Sequence, residues 1–275
     1  MLVTSEQMLK KAREENFAIP APNFFDLDSA RTYIAVAEKL QKPVILSFAQ
    51  THADILPLKE AALIGKFLAQ NTNVAVDLHL DHGQTEDFIK EGIDLGFTSI
   101  MIDASYDPFE KNIERSKNMA NYAHEHGVFV EAEIGHVASG ERVDFIEESE
   151  QKYTTVEEAI KFAEATKVDS LAVSIGTTHG EYKGNPEINF ELLSKIHQAV
   201  NLPLVLHGGS SSGDKNLKKC AMGGINKINI FTDFCLAGMS AISKKKPETY
   251  FDLKKATNES MAELLEHYYQ VFETR

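Results

Sequence analysis

The sequence predicts an α/β chain folded as one (β/α)8 TIM barrel, and three observations lead there. Eight short apolar runs alternate with longer stretches of helical period. The 275 residues match the roughly 250 that one such barrel needs, and no Pro/Gly/Ser-rich linker divides them. Polar residues collect just after the apolar runs.

The eight candidate strands are Phe17–Asn23, Val44–Phe48, Val74–Leu80, Ser99–Ile102, Val128–Glu133, Ser170–Ile175, Leu204–Leu206 and Ile225–Ile230. Apolar runs of this length are expected in a parallel sheet buried on both faces. The segments between them carry helix-start chemistry. Asp107 accepts from free amides, Pro108 has no amide to leave unpaired and Glu110 complements the positive helix end, so a helix is expected from about Pro108 to His126. Thr155 and Glu158 have capping-box spacing ahead of Ala159–Ala165. Thr85, Glu86 and Asp87 open a helix ending near Leu95, and Gly96 and Gly127 stop their helices. Eight alternations in one domain length favour a closed barrel over an open doubly wound sheet. The stretch from about 233 to 275 reads as a C-terminal helical extension of a single domain, 1–275.

A formal charge of -13 argues against nucleic acid or an anionic membrane as partner. The first fifteen residues carry alternating charges, and no run approaches the ~20 apolar residues of a membrane span, so a cytoplasmic protein is expected. Cys220 and Cys235 lack ligand spacing and are expected to be buried free thiols.

The polar residues carry the functional reading. Asp81 and His82 follow the third run, Asp103 the fourth, Glu133 ends the fifth, His179 follows the sixth, His207 the seventh, and Asn229 lies near the end of the eighth. In this barrel the carboxyl ends of all strands open on one mouth, so these side chains should converge. Three imidazoles, His82, His179 and His207, suit Zn²⁺ with a fourth position left for water or substrate. Asp103 and Glu133 either orient the histidines from behind, the favoured reading, or catch a displaced metal. His52, His79, His124, His126, His136, His197 and His267 are read as solvated or structural.

The run Gly208-Gly209-Ser210-Ser211-Ser212-Gly213 precedes a helix, so small residues, hydroxyls and a helix amino end together offer an anion site. Phosphate commonly sits in the last two loops of such barrels, where this run and Asn229–Thr232 fall. Gly180, Tyr182 and Lys183 could add an amide and one positive charge.

The segments Leu78-His79-Leu80-Asp81-His82-Gly83, Val130-Glu131-Ala132-Glu133-Ile134-Gly135, Asp169-Ser170-Leu171-Ala172-Val173, Ile175-Gly176-Thr177-Thr178-His179-Gly180 and Leu204-Val205-Leu206-His207-Gly208-Gly209-Ser210 resemble class II fructose-bisphosphate and tagatose-bisphosphate aldolases, in order and spacing from Asn23 to Thr232. The resemblance implies zinc on His82, His179 and His207, with Asp103 and Glu133 as alternative or second-site ligands. It implies reversible cleavage of a ketose 1,6-bisphosphate of the fructose or tagatose type, giving dihydroxyacetone phosphate and an aldehyde through a zinc-stabilised enediolate. Asp81 would relay the proton of the aldehyde oxygen, and Glu141 would exchange the proton at the enediolate carbon. Asn23, Gly180, Lys183, Gly208, Gly209, Ser210, Asn229 and Thr232 would bind substrate, some with a monovalent cation, Na⁺ or K⁺. Relatives are usually homodimers or homotetramers.

Several positions depart from the family pattern. Ala138 and Ser139 replace a glycine pair before Glu141, with Gly140 shifted, and Phe231 stands where a small or acidic residue is common. Ala49 replaces a serine and Ala262 a basic residue that would contact the far phosphate. An aldehyde half that is unphosphorylated or otherwise unusual is therefore expected, against a family default of fructose and tagatose 1,6-bisphosphates, unless Arg142 or Lys244–Lys246 substitute. The competing readings are a metal-dependent hydrolase on the same barrel and a non-catalytic sugar-phosphate binder. A Schiff-base aldolase is disfavoured because Lys227 lies too early in the last strand.

Overall fold

The computed structural model describes residues 1–135, 153–180 and 186–275. The barrel strands are β2 (Ile19–Pro22), β3 (Val44–Ala49), β4 (Val76–Gly83), β5 (Ser99–Ile102), β6 (Phe129–Ile134), β7 (Ser170–Val173), β8 (Leu204–Leu206) and β9 (Ile225–Ile230). Each candidate run from the sequence contributes one of them. Neighbours pair in parallel from β3 through β9 and on to β2. The ring closes where Asn23 bridges Ser47, beside a bond from the Phe24 amide to the Ser47 carbonyl at 2.9 Å. The extra strand β1 (Leu2–Val3) runs along Val76 and Asp77 of β4, ahead of the point where β5 takes over at His79. Two residues have no period to read, which is why the sequence did not announce it.

Helices α2 (Leu27–Leu40), α3 (Leu58–Gln70), α4 (Glu86–Leu95), α5 (Phe109–Glu125), α6 (Val156–Thr166), α7 (Phe190–Ala199), α8 (Asp214–Met222) and α9 (Thr232–Lys245) follow β2 to β9 in turn; α1 (Glu6–Glu15) precedes them and α10 (Tyr250–Val271) ends the chain. The capping box of α6 forms as expected: the Glu158 amide donates to the Thr155 hydroxyl at 3.1 Å, and the Thr155 amide to the Glu158 carboxylate at 3.1 Å. The expectation for α5 needs correction. Pro108 occupies the cap, while the Asp107 carboxylate accepts from Lys111 at 2.7 Å and Arg115 at 2.6 Å. Charge-assisted bonds to two cations outweigh one to a neutral amide. Thr85 likewise holds the cap position of α4 without a side-chain cap bond.

Alternation along each strand sorts the two faces. Leu46, Phe48, Leu78, Leu80, Val130, Ala132 and Ile228 point outward into the core beneath the helices. The inward face is not the apolar one expected from the sequence: Asp77, His79, Asp81, Ser99, Glu131, Glu133 and Lys227 are buried in the lumen. An apolar plug of Met8, Leu9 and Ala12 from α1, with Phe17, Ile19, Ala21, Ile45 and Phe129, closes the amino end of the barrel. The site is thereby left one opening, at the carboxyl ends. The far end of α10 ties to the same lower rim, where the Tyr269 hydroxyl donates to the Pro43 carbonyl at 2.9 Å and Thr274 to the Ala18 carbonyl at 2.6 Å. Among the described residues no helix is long and apolar enough to cross a membrane. Both cysteines are free; Cys220 is buried as expected, but Cys235 is only half-buried.

Candidate active site

The mouth is shaped by an irregularity between β4 and β5. Leu80 pairs with Ile100 and Gly83 with Ile102, so β4 takes three steps where β5 takes two. This bulge puts His82 at φ 47°, a left-handed conformation that histidine tolerates better than most residues. Consecutive strand residues ordinarily face opposite sides, yet here Asp81 and His82 line one cavity. Gly83 allows the close approach: a Cβ there would lie 2.6 Å from the Met101 carbonyl oxygen.

His82, His179 and His207 each bring one ligand atom within 4.8 Å of the others. The Nδ1 of His82 is 2.8 Å from Asp103 Oδ2, which leaves Nε2 for the cavity side. In His207 the division is reversed. Its Nε2 is 2.8 Å from Glu131 Oε1, and its Nδ1 is buried with no hydrogen-bond partner among the described residues. A buried, unpaired imidazole nitrogen costs free energy unless something accepts its lone pair. Together with the ligand atoms that His82 and His179 bring to the same point, this nitrogen fits a divalent ion of zinc type. His82, Asp103 and Glu133 form a second triple within the same limit, so the geometry allows Asp103 to ligate as well as to orient His82.

Charge balance supports this grouping. Burial pushes the His82 imidazole down, but Asp81, Asp103 and Glu133 outweigh it and raise it, so the carboxylates around the ring favour positive charge at this point of the cavity. Burial pushes the Asp81 carboxyl up, but His82, His207 and Lys227 hold it well below the usual carboxylate range. Asp81 is also gripped from both sides: Asn23 Nδ2 donates to Oδ2 at 2.8 Å and Asn229 Nδ2 to Oδ1 at 2.9 Å. Asn229 Oδ1 is buried with no hydrogen-bond partner among the described residues.

The cavity, about 250 Å³, is lined by these groups and by Gly180, Gly208, Ser210 and Thr232. Gly208 has φ 65°, and a Cβ there would meet the Thr178 carbonyl at 2.5 Å, so neither its conformation nor its space admits a side chain. Gly209 does not line the cavity and packs behind it against Ile228 and the Asn229 carbonyl. Of the three loop serines only Ser210 reaches the cavity. Ser211 donates its amide to Asp233 at 2.9 Å and its hydroxyl at 3.2 Å, and the Ser212 hydroxyl donates to the Gly208 carbonyl. The expected row of hydroxyl donors therefore shrinks to one, because the turn needs the other two. Glu141, Lys183, Tyr182, Arg142, His136, Ala138, Ser139 and Gly140 lie outside the described residues.

The sequence model for class II fructose-bisphosphate aldolase matches residues 3–275, nearly the whole chain. The chain belongs to that family. It is 31% identical to the YdjI aldolase of Escherichia coli K12, with a TM-score of 0.90 over 100% of this chain and 98% of that one. The fructose-bisphosphate aldolase (Fba) of Campylobacter jejuni is 25% identical, with a TM-score of 0.84 over 99% and 95% of the two chains. Class II aldolases are generally metal-dependent, and the three histidines are a donor set suited to that.

In the sequence, His79 reads as one of the solvated or structural histidines, Lys227 lies too early in its strand for a Schiff base, and Glu131 is given no role of its own. Glu131, Lys227 and His79 are all buried in the lumen below the histidines and bonded to one another. The usable signal was period two: Glu131 shares its strand face with Glu133, and His79 shares its face with Asp81. On the opposite wall, His52 lies with its ring centroid 4.5 Å from that of Phe231, and both line the cavity beside Ala49 and Thr51. Ala262 packs among the helices and does not line the cavity.

Proposed function

We propose that this chain is a zinc-dependent aldehyde-lyase that reversibly cleaves a ketose phosphate into dihydroxyacetone phosphate and an aldehyde. The observation that carries the reading is the convergence of His82, His179 and His207 beside the fixed Asp81 carboxylate in one cavity. Those histidines would hold the ion, with Asp103 and Glu133 behind them or as alternative ligands. Bound there, zinc would stabilise negative charge on the ketone oxygen next to the breaking bond. Asp81 takes the hydroxyl proton in cleavage and returns it in synthesis; its two amide donors hold it ionised and aimed. Gly180, Gly208, Ser210 and Thr232, at the amino end of α9, take the phosphate of the ketone half, where backbone amides favour an anion. Glu141 moves the proton at the ketone-half carbon, and Lys183 pairs with phosphate; both roles rest on the family resemblance, as does a monovalent cation near the phosphate. A cytoplasmic homodimer or homotetramer belongs to this reading on the family resemblance alone.

A specific observation favours a ketose 1-phosphate over a 1,6-bisphosphate. Among the described residues no lysine or arginine lines the cavity, and the wall beyond Asp81 is Ala49, Thr51, His52 and Phe231. Lys244–Lys246 do not make up the deficit. They end α9, whose first residue lines the cavity, so they lie roughly 20 Å away at 1.5 Å per residue. The experiment is to compare kcat/KM for fructose and tagatose 1,6-bisphosphates with that for the matching 1-phosphates. Cleavage of a 1-phosphate at least as efficient as that of its bisphosphate is expected; a clear bisphosphate preference would overturn this choice of substrate, and no triose phosphate from any of them would overturn the lyase reading.

A further inference from the structure

Lys227 is buried at 1% exposure in the middle of the barrel lumen, and no step of the proposed reaction uses it. Its ammonium lies 2.7 Å from Glu131 Oε2 and 2.9 Å from His79 Nε2. Glu131 continues to His207 Nε2 at 2.8 Å; His79 continues through Nδ1 to Ser99 Oγ at 2.6 Å, and Ser99 to Asp77 Oδ2 at 2.6 Å. A continuous buried chain thus joins the lower lumen to the third histidine of the candidate metal triad.

Hydrogen-bond chemistry fixes the direction of every link. An ammonium only donates, so His79 Nε2 must accept, its proton sits on Nδ1, and Ser99 in turn donates to Asp77. On the other side an ionised Glu131 only accepts, so His207 must carry its proton on Nε2. The lone pair of His207 then falls on Nδ1, the buried nitrogen that has no hydrogen-bond partner among the described residues. Lys227 occupies Oε2 of Glu131 at 2.7 Å, which leaves Oε1 to His207.

We propose that Lys227 is a positioning residue for the metal site, setting through Glu131 the tautomer and ring orientation of His207. The inference rests on the metal-binding reading of the three histidines and adds a residue more than one bond removed from the ion. Such supporting partners typically change metal affinity by roughly 10- to 100-fold.

The test uses the intact protein with zinc and with cobalt in its place. Lys227→Met should raise the zinc Kd, measured by competition with a chromophoric chelator, by roughly 10- to 100-fold and shift the visible cobalt bands. The KM for the sugar phosphate should change less than kcat. Should the unpaired Glu131 charge prevent folding, Lys227→Met/Glu131→Gln removes both charges and should show the same loss. Unchanged zinc affinity and cobalt spectrum in a folded variant, with only a lower unfolding midpoint, would overturn the proposal and leave Lys227 a core residue. Unaltered protein that binds zinc but releases no triose phosphate would sink the lyase reading alone; unaltered protein that binds no zinc would sink both.

Discussion

Asp81 and His82 are consecutive in the chain and yet face the same cavity, because β4 carries one more residue than β5 between Leu80 and Gly83. A regular strand would send one of them into the lumen and the other under the helices. The bulge therefore joins the proposed proton carrier to a candidate metal ligand on a single rigid element, with His82 held in a left-handed conformation by its surroundings.

Forcing β4 away from β5 at Gly83 should dismantle the site. Gly83→Ala places a methyl 2.6 Å from the Met101 carbonyl and 2.5 Å from Ile89. We expect a stability loss of ~1–3 kcal/mol by chemical denaturation, together with weaker zinc binding in titration. An alanine variant with both properties intact would show that the approach of β4 to β5 is not needed.

Asp81→Asn preserves shape but cannot take the proton. The expected result is a drop in kcat of ~10²–10⁴ with zinc content unchanged. Asn229→Ala removes one of the two donors that hold Asp81 and should cost ~1.5–3 kcal/mol in transition-state stabilisation, read from kcat/KM. Loss of zinc in step with activity in Asp81→Asn would instead make the carboxylate a support for the metal.

Gly208→Ala combines a positive φ with a 2.5 Å clash on the Thr178 carbonyl, one residue ahead of His179. The conformation alone costs ~1–2 kcal/mol. A lower melting midpoint and at least a roughly tenfold fall in kcat/KM are expected, checked by thermal unfolding and steady-state kinetics on the same preparation.

Thr155→Ala provides the contrast. It deletes the capping box of α6, outside the cavity lining, and should remove ~1 kcal/mol of stability while kcat/KM stays as it was.

The eight barrel strands were legible because each run is flanked by helix starts and stops that agree with it. The convergence of His82, His179 and His207 followed from topology alone, since every strand ends at one mouth. The bulge at Asp81–His82 was not legible; it depends on how many residues β5 sets against β4, which only the paired sheet defines. Glu131 was given no role, and Lys227 only its exclusion as a Schiff base, because a charged residue within an apolar strand is conspicuous only once the lumen is known to be polar. Asp107 failed as a cap because its cations arrive from four and eight residues later, on the surface of the finished helix. Ser211 and Ser212 looked like phosphate donors, but the turn that shapes the loop consumes their hydroxyls.

The most direct test of the central claim is release of dihydroxyacetone phosphate from a ketose phosphate, followed through chelator stripping and zinc return in the unaltered protein and in His207→Ala. The account predicts no release from stripped protein, recovery at one zinc per chain in the unaltered protein, and no recovery in the variant. Undiminished release from metal-free protein would contradict it.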